Sequence, residues 1–167
     1  MIEPDVLLNF LKSRRSIRNF QDKTISEKEI NMILEAGRWA PSASNRQPWK
    51  FIVIKDRDFI NKIAKVASYG RFIKEAPVLI AIIGKIKTSP KWYIIDTSLV
   101  SMNMILMGWS MGIGTCWIGA MNREKAKEIL ELNEGDYVLT ILPFGYIKGK
   151  IPNPTPRRSL NEVVKEI

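Results

Sequence analysis

The sequence predicts an α+β sandwich around a mixed, mostly antiparallel sheet. Three observations carry that expectation. Segments with apolar residues at helical spacing are interspersed with short β-branched runs, but not in the strict strand–helix–strand order of a doubly wound parallel sheet. No linker or repeat divides the 167 residues, so residues 1–167 read as a single domain. Hydrophobic residues make up 46% of the chain and charged residues 26%, a balance that supports a packed core.

The elements follow in order. A first helix is expected from Pro4 to Lys12, with proline suited to the first helical position and Val6, Leu7, Phe10 and Leu11 on one face. Ser26 and Glu29 have the spacing of a capping box, and Ile30, Ile33 and Leu34 supply the apolar stripe of the helix that follows. Ala40 to Pro48 is a loop, since Pro41, Ser42, Ser44, Asn45 and Pro48 all disfavour regular structure. Lys50–Lys55 reads as a strand, Asp58–Ala67 as a helix and Val78–Gly84 as a strand buried on both faces. Trp92–Met111 is a long helix. Its segment Ile94–Ile113 contains Asp96, Asn103, two glycines and three serines, which argues for a buried core helix over a membrane span. Thr115–Ile118 is a strand, Asn122 caps a helix reaching about Leu132, and Val138–Phe144 is a further strand. Pro152, Pro154 and Pro156 impose an extended arm, and Leu160–Ile167 closes the chain.

Composition excludes more than it suggests. The chain has one cysteine, Cys116, and no histidine. A disulfide within the chain, a Cys/His zinc site, a Ser-His-Asp triad and a Cys-His pair are all ruled out. An enzyme with this composition draws its hard chemistry from a cofactor. The net charge of +9 attracts phosphates and other polyanions. Many lysines neighbour an acid, as in Glu124-Lys125 and Lys165-Glu166, which reads as solvated helix faces and not as a nucleic-acid stripe. The Met-Ile-Glu-Pro-Asp-Val start lacks the basic and apolar segments of a signal peptide, so a cytoplasmic location is expected, with no membrane association.

Four segments can carry chemistry. Ser13-Arg14-Arg15-Ser16-Ile17-Arg18 puts three guanidiniums and two hydroxyls within six residues. Guanidinium forks suit phosphate oxygens, although cations at a helix C-terminus also simply complement its dipole. Ala40–Trp49 is longer than an ordinary connection, and its Asn45 and Gln47 can each donate to and accept from a heterocycle edge. Gly112-Ile113-Gly114-Thr115-Cys116-Trp117-Ile118-Gly119 leaves a helix for a strand, the reverse of a dinucleotide fingerprint. Gly112 reads as the helix end, Gly119 as a place for close backbone approach, and Cys116 as a buried small hydrophobe. Pro154-Thr155-Pro156-Arg157-Arg158 offers two more guanidiniums, or a basic tail in solvent.

In this order, over nearly the whole chain, the four segments resemble the FMN-dependent nitroreductase family. The recurring marks are Arg-Arg-Ser-x-Arg, Pro-Ser-x-x-Asn-x-Gln-Pro-Trp, Gly-x-Gly-Thr-Cys-Trp-x-Gly and a C-terminal Pro-x-x-Arg-Arg. The resemblance implies a nitroreductase-like α/β/α sandwich in a domain-entwined homodimer, with FMN at the interface. It implies that Arg14, Ser16 and Arg18 hold the phosphate, ribityl chain and ring edge, with Arg15 beside them, and that Arg157 and Arg158 reach the phosphate. Pro41, Ser42, Ala43 and Asn45 match positions meeting the flavin of the other subunit, with Gln47 as contact or support. The backbone N–H of Gly119 matches the one that faces flavin N5.

The implied reaction passes a hydride from NADH or NADPH, as cosubstrate, to flavin N5 and then reduces a small oxidant such as a nitroaromatic or quinone. No protein nucleophile is required, in keeping with the missing histidine. Two departures stand out. Ile118 occupies a position where longer members carry glutamate, and the stretch after Val78 is too short for their lid helices, leaving Trp92, Tyr93 or Trp109 as candidate covers. Tyr69 and Arg71 are candidates for polar ring contacts. The rival readings are another reaction on the same FMN scaffold (dehalogenation or flavin fragmentation), a non-catalytic basic module binding nucleic acid, and a structural dimer with a degenerate pocket.

Overall fold

The computed structural model describes residues 2–68 and 70–167. In chain order the elements are α1 (Pro4–Ser13), α2 (Glu27–Arg38), a short 3₁₀ turn (Ala43–Asn45), β1 (Trp49–Ile54), α3 (Arg57–Val66), a second 3₁₀ turn (Arg71–Glu75), β2 (Val78–Lys85), α4 (Tyr93–Ser110), β3 (Ile113–Thr115), α5 (Arg123–Ile129), β4 (Asp136–Tyr146) and α6 (Leu160–Val163).

The sheet has four strands in the order β1-β2-β4-β3, and every neighbouring pair runs antiparallel. Its parallel component is a single bridge between Ser16 and Thr115 at the β3 edge. β2 is buried along its length up to Gly84. Successive side chains of a strand point to opposite faces. Leu79, Ala81 and Ile83 therefore meet Ile60 and Ile63 of α3 and Ala126 of α5. Val78, Ile80 and Ile82 meet Ile30 and Ile33 of α2 and Val100 and Met104 of α4. The result is an α/β/α sandwich with a separate apolar layer on each sheet face. A register shift between Ile82 and Ile83 leaves Leu139 as the extra residue of a β-bulge in β4.

The local signals act as the sequence predicts. The Ser26–Glu29 capping box forms at the start of α2. Asn122 caps α5 by accepting from the Lys125 N–H. Some boundaries move for backbone reasons. Gly112 takes φ 72°, turning the chain at the end of α4, so the strand begins at Ile113 and not at Thr115. Glu131 takes φ 50°, which stops α5 short of Leu132.

α1 and α6 bury no residue. Val6, Leu7, Leu8 and Leu11 stand exposed on α1, and Leu160, Val163 and Val164 on the C-terminal arm. α4 carries apolar residues on opposite sides: Val100, Met104 and Ile105 face the core, while Ile95, Leu99 and Met102 face outward.

Candidate functional site

The end of α1 starts the site. Arg14 leaves the helix at φ −58° and ψ 136°, and the chain becomes an extended strap. The strap lies along β3: Ser16 bridges Thr115, and the Ile17 N–H donates to the Thr115 carbonyl at 2.9 Å. Ile17 is buried against Gly114, where an added Cβ would lie 2.6 Å from the isoleucine side chain. With Ile17 turned inward, its neighbours Ser16 and Arg18 point the other way. The first and third motifs are thereby laid side by side.

The C-terminal arm supplies the opposite wall. Arg15 Nε donates to the Pro152 carbonyl at 3.1 Å, joining residues 137 positions apart. Between strap and arm lies a cleft of about 950 Å³. Lys12, Arg14, Arg15 and Arg18 line it from one side and Arg157 from the other, with Ser16 and Thr155 contributing hydroxyls. No residue lining it carries a carboxylate. The ion pairs among the described residues, Arg38–Glu35, Lys55–Glu27 and Lys85–Asp136, all lie elsewhere.

The guanidiniums are not equivalent. Arg15 Nη1 donates to the carbonyls of Lys12, Ser13 and Arg14 at 2.7, 2.9 and 2.8 Å. It thus satisfies the orphan carbonyls at the end of α1 while its Nε holds the arm. Arg157 Nη1 turns back onto Thr155, donating to Oγ1 at 2.6 Å. The Arg14 guanidinium makes no hydrogen bond or ion pair to any described residue. Arg18 lies 6.0 Å from the centre of the Phe72 ring. Arg158 does not line the cleft. Cys116 sits behind the strap, where burial pushes its thiol up despite the opposing pull of Arg18, Ser16 and Arg14. It is a buried small hydrophobe, as its sequence context suggests.

The Ala40–Trp49 loop does not line this cleft. It is tightly specified all the same. Ser44, Asn45 and Gln47 have φ of 52°, 52° and 49°, left-handed conformations that cost side-chain-bearing residues about 1 kcal/mol or more each. Ser42 Oγ accepts from the Gln47 N–H at 3.0 Å. Asp96 Oδ1, in the first turns of α4, accepts from the Ala43 N–H at 3.1 Å. Asp96 is only 3% exposed, and the fully buried Ser89 donates to its Oδ2 at 3.4 Å.

The Ile118 side chain packs into the core with α3 and α5, and its backbone bridges Ile141 of β4. The Ile118 carbonyl accepts from Thr140 Oγ1 at 3.0 Å and the Gly119 carbonyl from Arg123 Nη2 at 3.0 Å, fixing this segment's course. Of the candidate covers, Trp109 Nε1 is tied to Ser13 Oγ at 2.8 Å and Tyr93 packs edge-on against Tyr137. Trp92 remains exposed. Tyr69 and the Arg71 side chain lie outside the described residues.

Sequence reasoning misses Lys12, Thr155, Ser89 and Asp96. Asp96 alone has a visible signal, as the single acid of a long apolar stretch.

A layered α+β domain with a carboxylate-free, guanidinium-lined cleft at the sheet edge is built to hold an anionic ligand. Solved structures share the fold. One described as a "Putative NADH dehydrogenase/NAD(P)H nitroreductase", from Bacteroides thetaiotaomicron, superposes with a TM-score of 0.90 at 26% identity, covering 98% of each chain. An "FMN-dependent Nitroreductase" from Clostridium difficile gives 0.87 at 26% identity, covering 95% of this chain and 98% of that one. In sequence, a protein of Methanothermobacter thermautotrophicus, also described as a "Putative NADH dehydrogenase/NAD(P)H nitroreductase", is 34% identical over 146 residues, 84% of this chain and 76% of that protein. The family model "Nitroreductase family" matches residues 11–70 and 64–146. The chain belongs to the nitroreductase family of oxidoreductases.

Proposed function

We propose that this chain is an FMN-dependent NAD(P)H oxidoreductase, working as an entwined homodimer and reducing a small oxidant such as a nitroaromatic or a quinone. The observation that carries the proposal is the convergence of Arg14, Arg18 and Arg157 on a cleft without a carboxylate. A phosphate dianion needs several charge-assisted donors to offset the loss of water, and guanidiniums not already neutralised by acids provide them. The cleft volume falls within the range of small-molecule sites. Similarity to proteins described as "FMN-dependent Nitroreductase" and "FMN reductase [NAD(P)H]" supports the same cofactor.

Bound FMN supplies hydride transfer between a nicotinamide and the oxidant. In this reading Arg14, Arg18 and Arg157 hold the phosphate and Ser16 hydrogen-bonds nearby. Arg15 keeps the arm in place, and Arg158 adds charge from outside the cleft. The backbone of Ile118 and Gly119 approaches the ring. Pro41, Ser42, Ala43 and Asn45, supported by Gln47, reach the flavin held mainly by the partner. Basic residues stabilise negative charge on the reduced cofactor. Among the described residues, no helix is long and apolar enough to cross a membrane. The proposed setting is the cytoplasm, without nucleic acid.

Exposed apolar side chains support the dimer. Apolar residues on two sides of a helix call for cover on both, and the Ile95, Leu99 and Met102 side of α4 has none within the chain. β1 has an unpaired outer edge, and the arm presents Val163 and Val164 to solvent. Contact of residues 160–167 with a second copy, with 152–157 kept on their own cleft, would cover these surfaces together.

The test is direct. The purified protein is expected to be yellow, or to become so with FMN, and to bleach under NADH or NADPH without oxygen. A protein that ignores FMN overturns the reading, and one that binds FMN but is reduced by neither nicotinamide places it in a different flavin chemistry. Arg14→Ala should raise the FMN dissociation constant about 10- to 100-fold, the loss of one or two charge-assisted bonds, with an unchanged melting temperature.

A further inference from the structure

We propose that Asp96 is a positioning residue for the flavin pocket, acting as an external cap on the loop that faces the partner subunit's cofactor. The inference rests on the reading above, in which residues 41–47 meet flavin.

The 3₁₀ turn Ala43–Asn45 starts without the usual support. Its N-cap residue, Ser42, makes no side-chain cap to the turn, because Ser42 Oγ accepts from the Gln47 N–H instead. The first donor of the turn, the Ala43 N–H, is taken by Asp96 Oδ1, 53 positions away on α4. A carboxylate buried this deeply requires donors, and removing any of them is costly. Ser89, completely buried just before α4, supplies one to Oδ2. The position of Asp96 near the N-terminal end of α4 adds a favourable helix dipole. The carboxylate therefore has a fixed place, and it transmits that place to the loop.

The loop needs such a hold. Ser44 and Gln47 sit in left-handed backbone that neither adopts readily, with Asn45, which tolerates it, between them. Released from Asp96, the segment would relax to ordinary conformations. The Asn45 and Gln47 side chains and the Ala43 backbone would then no longer present a fixed surface. α4 also carries the outward stripe of Ile95, Leu99 and Met102, so the clamp ties the loop's geometry to the helix proposed to lie between the two subunits.

The experiment compares Asp96→Leu and Asp96→Asn in the full-length protein. Leucine fills the buried site without an acceptor, and replacing a buried charge by a packed apolar group often preserves stability. Asparagine keeps an acceptor oxygen for the Ala43 N–H. Asp96→Leu is expected to weaken FMN binding by about 10-fold and to alter the visible circular dichroism of bound flavin, while Asp96→Asn stays within about 3-fold of the parent. Amide hydrogen exchange of residues 43–47, measured without FMN, is expected to accelerate in Asp96→Leu and not in Asp96→Asn. Should Asp96→Leu fail to fold, Ser89→Ala is read by the same exchange measurement and should loosen the loop to a smaller extent. Parent-like affinity, dichroism and exchange in Asp96→Leu overturn the proposal, as does an Asp96→Asn variant as impaired as the leucine. If the parent itself does not bind FMN, the functional reading fails, and the exchange data still decide the clamp.

Discussion

The central strands and the two chain ends are both rich in apolar residues, to opposite effect. β2 and β4 put Leu79, Ile80, Ile82, Leu142 and Phe144 out of water on both sheet faces. α1 repeats leucines at helical spacing and buries none of them, and the C-terminal arm leaves Leu160 at 76% exposure. The difference is in partners. The sheet finds α2, α3, α4 and α5 within one chain, whereas the apolar side chains of the ends stay exposed beside the cationic cleft. The centre is a finished core, while the ends leave apolar side chains exposed beside a cationic cleft, the surface proposed above to meet another copy and a charged ligand.

That contrast can be broken or sharpened experimentally. Phe144→Ala should give the largest effect, a loss of about 3–5 kcal/mol in denaturant unfolding, because the ring is wholly buried against α4 and β3. A loss under about 1 kcal/mol would mean the centre is less complete than described. Leu7→Ser combined with Leu11→Ser on α1 should change the unfolding of an isolated chain by only about 0.5 kcal/mol per site. The same pair should shift sedimentation from dimer toward monomer, and an unchanged dimer would remove α1 from the interface.

The smallest effect concerns the Glu29–Tyr146 hydrogen bond of 2.6 Å, which pins the start of α2 to the end of β4. The Ser26 hydroxyl first, and the Tyr146 hydroxyl next, hold the Glu29 carboxyl below its usual 4.5. Its stabilising contribution is therefore full above pH 4.5 and is lost as pH falls through the lowered folded value. Glu29→Gln should lower the melting temperature by about 2 °C at neutral pH and narrow that gap in acid. A constant gap down to pH 3 would show that the carboxylate's charge is not what matters.

Much of this was legible in the sequence because the signals are local. The capping box at Ser26, the β-branched run of β2 and the Asn122 cap each depend on a few neighbouring residues. The motifs also foretell that the two arginine clusters approach one another. What escaped depends on distant pairing. Nothing around Arg15 says that its fork goes to backbone carbonyls and to Pro152. Nothing near Ala43 says that its N–H belongs to a residue of α4. The residues of the Pro41–Gln47 loop carry no signal of their own that it stands apart from the cleft of the same chain, which only the family resemblance implied.

The tie between Arg15 and Pro152 has a consequence for biosynthesis. Residues 4–146 contain every strand, and a growing polypeptide can pair them all before the arm has been made. The cleft has no second wall until residues 152–157 have been translated and have travelled back to the first turns of the molecule. Closing so long a segment is slow compared with local pairing. On the proposed function, loading of the anionic ligand belongs to the last stage of maturation, on an already formed scaffold, and a ribosome stalled before residue 152 would display a folded sheet unable to retain it.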